Sequence, residues 1–220
     1  MKEIKKIMIT AGPTHERIDP VRFIGNYSSG KMGFALAREC ADRGMLVTLI
    51  AGPVELNIEH PNITRVDVVS ALEMYDACNK YFDSQDAAIM CAAVADYRPA
   101  EVAEQKIKRK GEDMTIRLVP NPDIAASLGA KLMPGQTLVG FALETTDERN
   151  YALGKMEKKN LDMIVLNSLQ EKGAGFKVDT NKVTLLHRSG EEQKFELKHK
   201  DDVATDIVDA LWAIMVQKNK

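Results

Sequence analysis

Short apolar, β-branched segments alternate with helical segments from Ile7 to Leu166, and this alternation restricts the chain to few folds. Strands that are apolar along their length and separated by helices are typical of a parallel sheet covered on both faces. The six predicted strands are Ile7 to Thr10, Met45 to Ile50, Ile63 to Val69, Ala87 to Ala93, Thr137 to Phe141 and Met163 to Leu166. The sequence therefore predicts one Rossmann-like α/β domain over residues 1–220, with ligands beyond the C-terminal ends of the strands.

Between the strands, apolar residues recur at helical spacing. The predicted helices cover Met32 to Cys40, Leu72 to Phe82, Ile124 to Leu132 and Tyr151 to Lys159, and a last helix begins near Asp202. Residues 106–119 and 182–197 instead alternate apolar with polar residues around turns that contain glycine. Each of these two segments predicts an antiparallel hairpin appended to the sheet. Because such a hairpin must bury one face, both are candidates for a subunit interface.

Composition excludes several classes of protein. The 30 basic and 32 acidic residues give a net charge of −2, which argues against a dedicated nucleic-acid binder. No run approaches the roughly 18 apolar residues that span a bilayer, and the first ten residues do not resemble a signal peptide. The three cysteines show no C-x-x-C pairing, and the four histidines show no metal-ligand spacing. We expect a cytoplasmic protein with no membrane or nucleic-acid partner.

Gly25 to Gly33, with the sequence GNYSSGKMG, leads into the first clear helix. The segment contains most of a P-loop, but Met32 stands where that motif requires a Mg²⁺-binding Ser or Thr. Two interpretations remain open. The serines and glycines form an anion site at a helix N-terminus, or they form a Ser-capped helix whose glycines allow close packing.

Two further regions carry candidate ligand-binding groups. The strand that ends near Cys91 is followed by small residues and then by Asp96, whose carboxylate could bind a ligand or cap a turn. Cys91 itself is interpreted as a packing residue. Basic residues cluster at Lys106 to Lys110, in a pattern typical of a solvated strand edge. Lys155 and Lys159 share one helix face. They form either a solvent-exposed stripe or a pair that binds phosphate.

Six stretches of the chain, in order, resemble the bacterial phosphopantothenate–cysteine ligase family of coenzyme A synthesis. They are ITAGPTHERIDPVRFIGNYSSGKMGFALA (residues 9–37), CAAVADYR (91–98), KIKRK (106–110), NPDI (121–124), GFALET (140–145) and KKNLDMIV (158–165). The resemblance implies a CTP-dependent ligase that activates the carboxylate of 4′-phosphopantothenate as an acyl-cytidylate. The amine of L-cysteine then displaces CMP and forms an amide.

The resemblance also implies roles for individual residues. It implies that Lys106, on a mobile loop, closes over the α-phosphate in the first step, and that Asn26 acts on the acyl-cytidylate at the cysteine step. The further nucleotide-binding residues that it implies are Gly12, Ser28, Gly30, Gly33, Asp96, Asn121, Pro122, Asp123, Ile124, Phe141, Lys155, Lys159 and Asn167. The implied substrate-binding residues are Ala92, Ala93, Asp96 and Arg22, and Arg22 is expected to reach the neighbouring subunit's site.

The same resemblance sets expectations for cofactors and partners. It implies Mg²⁺ together with CTP, with metal ligands that the sequence does not identify, and it implies a homodimer. Many relatives carry this domain behind a flavin-dependent decarboxylase, whereas here Met1 almost adjoins the first strand. We therefore expect a free-standing ligase without flavin, which associates at most with a separate decarboxylase.

Two alternatives belong to other functional classes. Tyr151 and Lys155 form the Tyr-x-x-x-Lys pair of a short-chain NAD(P)-dependent oxidoreductase. Against that assignment, the first loop lacks the G-x-G-x-x-G turn that a dinucleotide pyrophosphate requires, and the preceding strand offers no serine partner. A non-catalytic nucleotide sensor would explain the glycine-rich loop but not the presence of both Asn26 and Lys106.

Overall fold

A computed structural model describes residues 4–109, 111, 113–144, 147–168 and 178–219. The strands are β1 Lys6–Ala11, β2 His15–Arg17, β3 Phe23–Gly25, β4 Leu46–Ala51, β5 Ile63–Asp67, β6 Ala87–Met90, β7 Tyr97–Pro99, β8 Leu118–Pro120, β9 Thr137–Glu144, β10 Met163–Ser168, β11 Thr180–Asn181, β12 Val183–His187, β13 Glu192–Lys194 and β14 Lys198–His199. The helices are α1 Lys31–Asp42, α2 Ala71–Phe82, α3 Ile124–Ala130, α4 Glu148–Lys158 and α5 Lys200–Lys218.

Eight of these strands form one sheet in the order β13-β12-β10-β9-β6-β1-β4-β5. The six strands from β10 to β5 are parallel to one another, and β12 and β13 add an antiparallel pair at one edge. The prediction of a mainly parallel Rossmann-like sheet is confirmed, and all six predicted strands are present. The strand predicted over Ala87 to Ala93 ends earlier, at Met90, so the small residues after it form a loop.

Helices cover both faces of the sheet and create two cores. On one face α1 and α5 pack against side chains such as Ile7 and Ile9 of β1. On the other face α2, α3 and α4 pack against the strand residues that alternate with these, including Met8 of β1. Neighbouring residues of β1 therefore enter opposite cores, as the alternation of side chains along a strand requires.

The two predicted hairpins have different outcomes. The hairpin over residues 182–197 is confirmed, since β12 and β13 pair around a turn at Gly190. The hairpin over 106–119 is wrong in its pairing, because β8 pairs with Tyr97–Pro99 and residues 106–109 form no strand. The alternation in 106–119 therefore does not mark a buried face, since Ile107, Met114 and Leu118 are all exposed. The sequence also gave no sign of the short hairpin of β2 and β3.

Among the described residues, no helix combines the length and apolar character that crossing a membrane requires.

Close packing of α1 on β1 depends on Gly33, where an added Cβ would lie 2.5 Å from Cβ of Ala11. We predict that Gly33→Ala lowers the free energy of unfolding by about 1–3 kcal/mol, because the helix must move off the sheet. Gly154→Ala in α4 is the control, since nothing lies within 4 Å of its added Cβ. That variant should gain about 0.5–1 kcal/mol through helix propensity. Urea unfolding midpoints test the pair, and equal effects at both positions would contradict the packing described here.

Candidate functional site

The candidate site is a cleft at the C-terminal ends of β1, β6, β9 and β10. Parallel strands place their following loops at one edge, which is where ligands bind in folds of this type. The cleft consists of two adjoining cavities of about 330 Å³ each. We call the part beside the start of the first helix the α1 cavity and the part beside the third helix the α3 cavity. The side chains of Ala92, Val94, Phe141 and Lys155 line both.

The α1 cavity is formed by the glycine-rich loop. Its lining includes Gly12, Asn26, Ser28, Gly30, Gly33, Ala93 and Asn167, all of which were predicted as site residues. Gly12 and Gly30 adopt left-handed backbone conformations with φ of 78° and 79°, and the two glycines pack against each other. A side chain at either position would be strained, so the loop depends on glycine there.

The helix that follows this loop begins without a side-chain cap. Gly30 is its N-cap residue, and the Ser28 hydroxyl accepts a 3.3 Å hydrogen bond from the Gly30 N–H rather than from the helix. Of the two interpretations drawn from the sequence, the Ser-capped helix is therefore not what forms. The uncapped first turn directs backbone N–H groups and the positive end of the helix dipole toward the cavity, which suits an anion.

Side chains of the segments around β1 hold the loop after β6 by hydrogen bonds. The hydroxyls of Thr10 and Thr14 accept from the N–H groups of Ala92 and Ala95, at 3.1 and 3.0 Å. Asn26 donates its side-chain amide to the Ala93 carbonyl at 3.0 Å. The amide of Asn26 is thereby fixed at the wall of the α1 cavity.

The α3 cavity collects the remaining predicted nucleotide-binding residues. Asp96, Asn121, Pro122, Asp123, Ile124 and Lys159 line it together with the shared Phe141 and Lys155. Asn121 ties this wall to the β6 loop, because its side chain donates to the Ala95 carbonyl and its N–H donates to the Asp96 carbonyl, both at 2.8 Å. Asp123 caps α3 and pairs with Lys159 at 3.1 Å. Lys159 thus belongs to the cleft and not to a purely solvated stripe.

Two predicted residues, Lys106 and Arg22, do not line this cleft. They line a separate concavity of about 750 Å³ together with Lys108 and Arg109. In this position Lys106 does not reach the cleft, and its role at an α-phosphate stays a prediction. The sequence contains no signal for that separation, since distance between loops depends on tertiary packing.

The buried carboxylate of Asp19 joins Arg22 to the Lys106 loop. Asp19 accepts from the N–H groups of Val21, Arg22 and Ile107 at 2.8, 2.9 and 3.1 Å, and from the Arg22 guanidinium. The guanidinium also donates to the Ile107 carbonyl at 3.0 Å. The Arg22 hydrogen bond holds the pKa of Asp19 well below its usual value, so this carboxylate stays ionised at neutral pH.

The cysteine thiols are held in their protonated form. Burial raises the pKa of Cys91 in the α1 cavity to about 12, so its thiol stays protonated. The buried thiols of Cys40 and Cys78 have pKa values raised to about 12 for the same reason. Among the residues that the structure describes, no group of three or more His, Cys, Asp or Glu side chains could hold a metal.

Sequence reasoning missed several residues that line the α1 cavity. Lys31, Asn181 and Lys200 all contribute to its wall. Lys31 lay within a recognised motif, whereas Asn181 lies in the two-residue β11 and Lys200 begins α5, and neither position carried a motif. The Oδ1 atom of Asn167 is buried in this wall and has no hydrogen-bond partner among the described residues.

The family model for the "DNA/pantothenate metabolism flavoprotein C-terminal domain" matches residues 2–215. The chain belongs to this family. It is 52% identical over 204 residues to a "Cysteine/Cysteine sulfinic acid decarboxylase" from an unknown prokaryotic organism, covering 93% of this chain and 57% of that protein. It is 46% identical over 215 residues to the "Coenzyme A biosynthesis bifunctional protein CoaBC" of Vibrio parahaemolyticus, covering 97% of this chain and 53% of that protein. The chain thus spans little more than half the length of these curated relatives.

A solved structure supports the same assignment. The crystal structure of the C-terminal domain of a coenzyme A biosynthesis bifunctional protein CoaBC superposes with a TM-score of 0.83 at 39% identity. The match covers 98% of this chain and 99% of that one. Family membership argues against the oxidoreductase alternative, as does the site itself: Lys155 lines the cleft, but Tyr151 is 57% exposed and is not among the described lining residues.

We predict that Asp19→Asn loosens the Lys106 loop. Asparagine can still accept a hydrogen bond from the Ile107 N–H, but it cannot pair with the Arg22 guanidinium. Trypsin should then cleave after Lys106, Lys108 and Arg109 several-fold faster than in the unmodified protein, because the loop opens more often. Asp83→Asn, which removes an exposed carboxylate paired with Lys131, is the control. Unchanged cleavage in a folded Asp19→Asn protein would show that this carboxylate does not restrain the loop.

Proposed function

We propose that this chain joins 4′-phosphopantothenate to L-cysteine in a CTP-dependent reaction. The observation that carries this proposal is the convergence of residues from five motifs on one cleft at the C-terminal edge of the sheet. The resemblance stated from the sequence supplies the reaction, and membership of a pantothenate-metabolism family supports it. The oxygen of the substrate carboxylate attacks the α-phosphorus and pyrophosphate leaves; the cysteine amine then attacks the acyl carbon, loses a proton, and releases CMP.

The two cavities suggest how a nucleotide would lie. The base and ribose fit the α3 cavity, where Asn121, Asp123 and Phe141 provide polar edges and one aromatic face. The phosphates fit the α1 cavity, where the uncapped first turn of the helix favours negative charge. Lys155 lines both cavities, so its charge lies where an α-phosphate would pass between them. Preorganised donors of this kind stabilise charge that develops on a transferring phosphoryl group.

Magnesium fits this site as an ion that arrives with the nucleotide. Mg²⁺ commonly keeps several waters and is bound through one or two carboxylates plus substrate phosphates. The cleft offers such a carboxylate in Asp96, whose side chain is exposed to the α3 cavity. When bound, the ion neutralises charge on the phosphates. We propose no flavin for this chain, and a cytoplasmic location.

Lys106 must move for its proposed role. In the present arrangement Lys106 lines the neighbouring concavity, so residues 106–109 would have to approach the cleft when substrates bind. We propose that this occurs within a homodimer. Large apolar side chains are exposed around the β2–β3 and β7–β8 hairpins: Val21, Phe23, Tyr27, Tyr97 and Leu118. Exposed apolar side chains of this kind are typical of a protein interface, and Val21 and Phe23 adjoin Arg22 in the chain.

Product analysis with each of the four nucleoside triphosphates tests the proposed reaction. With phosphopantothenate and cysteine present, CTP should yield CMP, pyrophosphate and phosphopantothenoylcysteine in equal amounts, and the other three nucleotides should yield less product. Full turnover should require both acceptor substrates. A protein that binds CTP without releasing pyrophosphate would instead be a nucleotide sensor, and the ligase proposal would be wrong.

The two proposed catalytic residues should affect different half-reactions. Lys106→Gln should slow acyl-cytidylate formation by roughly a hundred- to a thousandfold, since losing one donor to developing charge costs about 3–4 kcal/mol. Asn26→Asp should form the acyl-cytidylate and then stall, because a carboxylate would face the Ala93 carbonyl and repel the group that cysteine must attack. Mass spectrometry of acid-quenched enzyme should then show the intermediate accumulating on that variant.

Matched variants control for simple loss of an amide or a charge. Lys108→Gln removes a lysine from the same loop. Asn79→Asp removes an amide that donates to the Tyr75 carbonyl at 2.9 Å in α2, outside the cleft. Both controls should turn over at nearly the normal rate. Normal cytidylate formation by Lys106→Gln, or normal turnover by Asn26→Asp, would contradict this division of roles.

A further inference from the structure

Two helices begin at the α1 cavity, and each begins with a lysine. Lys31 is the first residue of α1 and Lys200 is the first residue of α5, and both side chains line the cavity. The two helices pack side by side on the same face of the sheet. A cation in the first turn of a helix is unfavourable, because the positive end of the helix dipole lies there. Two lysines placed in this way at one cavity concentrate positive charge where both helix dipoles disfavour it.

Lys200 is also buried to a degree that is unusual for lysine. Its residue is 6% exposed, and its ammonium group donates to the Val178 carbonyl. The Lys200 N–H donates to the Asp179 carbonyl at 2.9 Å, which fixes the start of the helix. Burial, and then the nearby charge of Lys31, lowers the pKa of Lys200. Holding this group at the cavity wall therefore costs stability, which points to a role in binding.

Lys31 already has an anion beside it. Its ammonium lies 2.6 Å from a carboxylate oxygen of Asp179, whose side chain is 66% exposed. Ion pairs exposed to this extent contribute little to stability, so an incoming anion of higher charge can replace the carboxylate. The buried Oδ1 of Asn167 lies in the same wall and faces no donor among the described residues.

We infer that Lys31 and Lys200 form a subsite for the terminal phosphates of the nucleoside triphosphate. In the absence of nucleotide the Asp179 carboxylate pairs with Lys31, and the terminal phosphates displace it. The inference rests on the proposed function, which places the base and ribose in the α3 cavity and the phosphates in the α1 cavity. The subsite binds the pyrophosphate that leaves in the first step. A nucleoside monophosphate, whose single phosphate lies at the boundary of the two cavities, does not reach it.

Calorimetric titration of CTP and CMP into single variants tests this subsite. Lys200→Met keeps the length of the buried side chain and removes its charge. We expect it to weaken CTP binding at least tenfold and to change CMP binding less than twofold. Lys31→Met, at a partly exposed position, should show the same selectivity and carries the test if Lys200→Met does not fold. Lys218→Met is the control, because Lys218 ends α5 about 27 Å away and also donates to a backbone carbonyl.

Asp179→Asn should act in the opposite direction. Removing the competing carboxylate frees Lys31 for phosphate, so CTP binding should tighten several-fold while CMP binding stays unchanged. If the lysine variants lose CTP and CMP equally, or lose neither, the subsite assignment is wrong while the proposed ligase stands. Weaker CTP binding by Asp179→Asn would make Asp179 part of the binding site and overturn its assignment as a competitor. If the unmodified protein binds no nucleoside triphosphate, the proposed function fails first.

Discussion

The parallel alignment of β1, β6, β9 and β10 determines where this protein can do chemistry. Because the four strands run in one direction, the segments that follow them meet at one edge of the sheet. The cleft is lined by a glycine turn after β1, by small residues after β6, and by Phe141 within β9 and Asn167 within β10. Hydrogen bonds from Thr10, Thr14 and Asn26 then fix the β6 loop to the segment after β1. The cleft is therefore a consequence of strand direction and not of any single motif.

Several features at this edge run against the local preferences of the chain. The first turn of α1 has no side-chain cap, and lysines begin two helices. Each of these lowers the stability of the empty protein, and each suits a polyanion held by backbone amides and ammonium groups. The same logic applies to Asp19, which is buried and ionised so that it can hold Arg22 and the Lys106 loop. At the α1 cavity and at Asp19, a charged group is buried although its burial costs stability.

Much of the fold could be predicted because its determinants are local. Apolar runs such as Met163 to Leu166 and helical periodicity such as Met32, Leu36 and Cys40 locate strands and helices with only small errors at their ends. The pairing of β8 with β7 could not be predicted from alternation in 106–119, because alternation shows which face is buried and not which strand is the partner. The short β2–β3 hairpin has Asp19-Pro20 in its turn but no glycine, and its two strands are only three residues long, too short to show alternation.

The candidate site was predictable where a motif lies in one stretch of sequence, as for Gly12, Ser28 and Asn121 to Ile124. Lys200 and Asn181 were not, since they reach the α1 cavity only after the chain has passed through β10 and returned. The separation of Lys106 and Arg22 from the cleft also depends on tertiary contacts, through Asp19 and Ile107, that no local pattern records. The resemblance to a family implied the reaction and its residues, and the structure shows which of those residues lie together.

The most direct test of the proposed chemistry follows the oxygen atoms of the substrate carboxylate. The protein would be incubated with CTP, cysteine and phosphopantothenate whose carboxylate carries ¹⁸O at both positions, and the products would be analysed by mass spectrometry. If the carboxylate attacks the α-phosphorus, each CMP released carries one ¹⁸O and the new amide carbonyl retains the other. Label in inorganic phosphate together with release of CDP would show attack at the γ-phosphorus. That result would contradict the acyl-cytidylate and the placement of the triphosphate in this cleft.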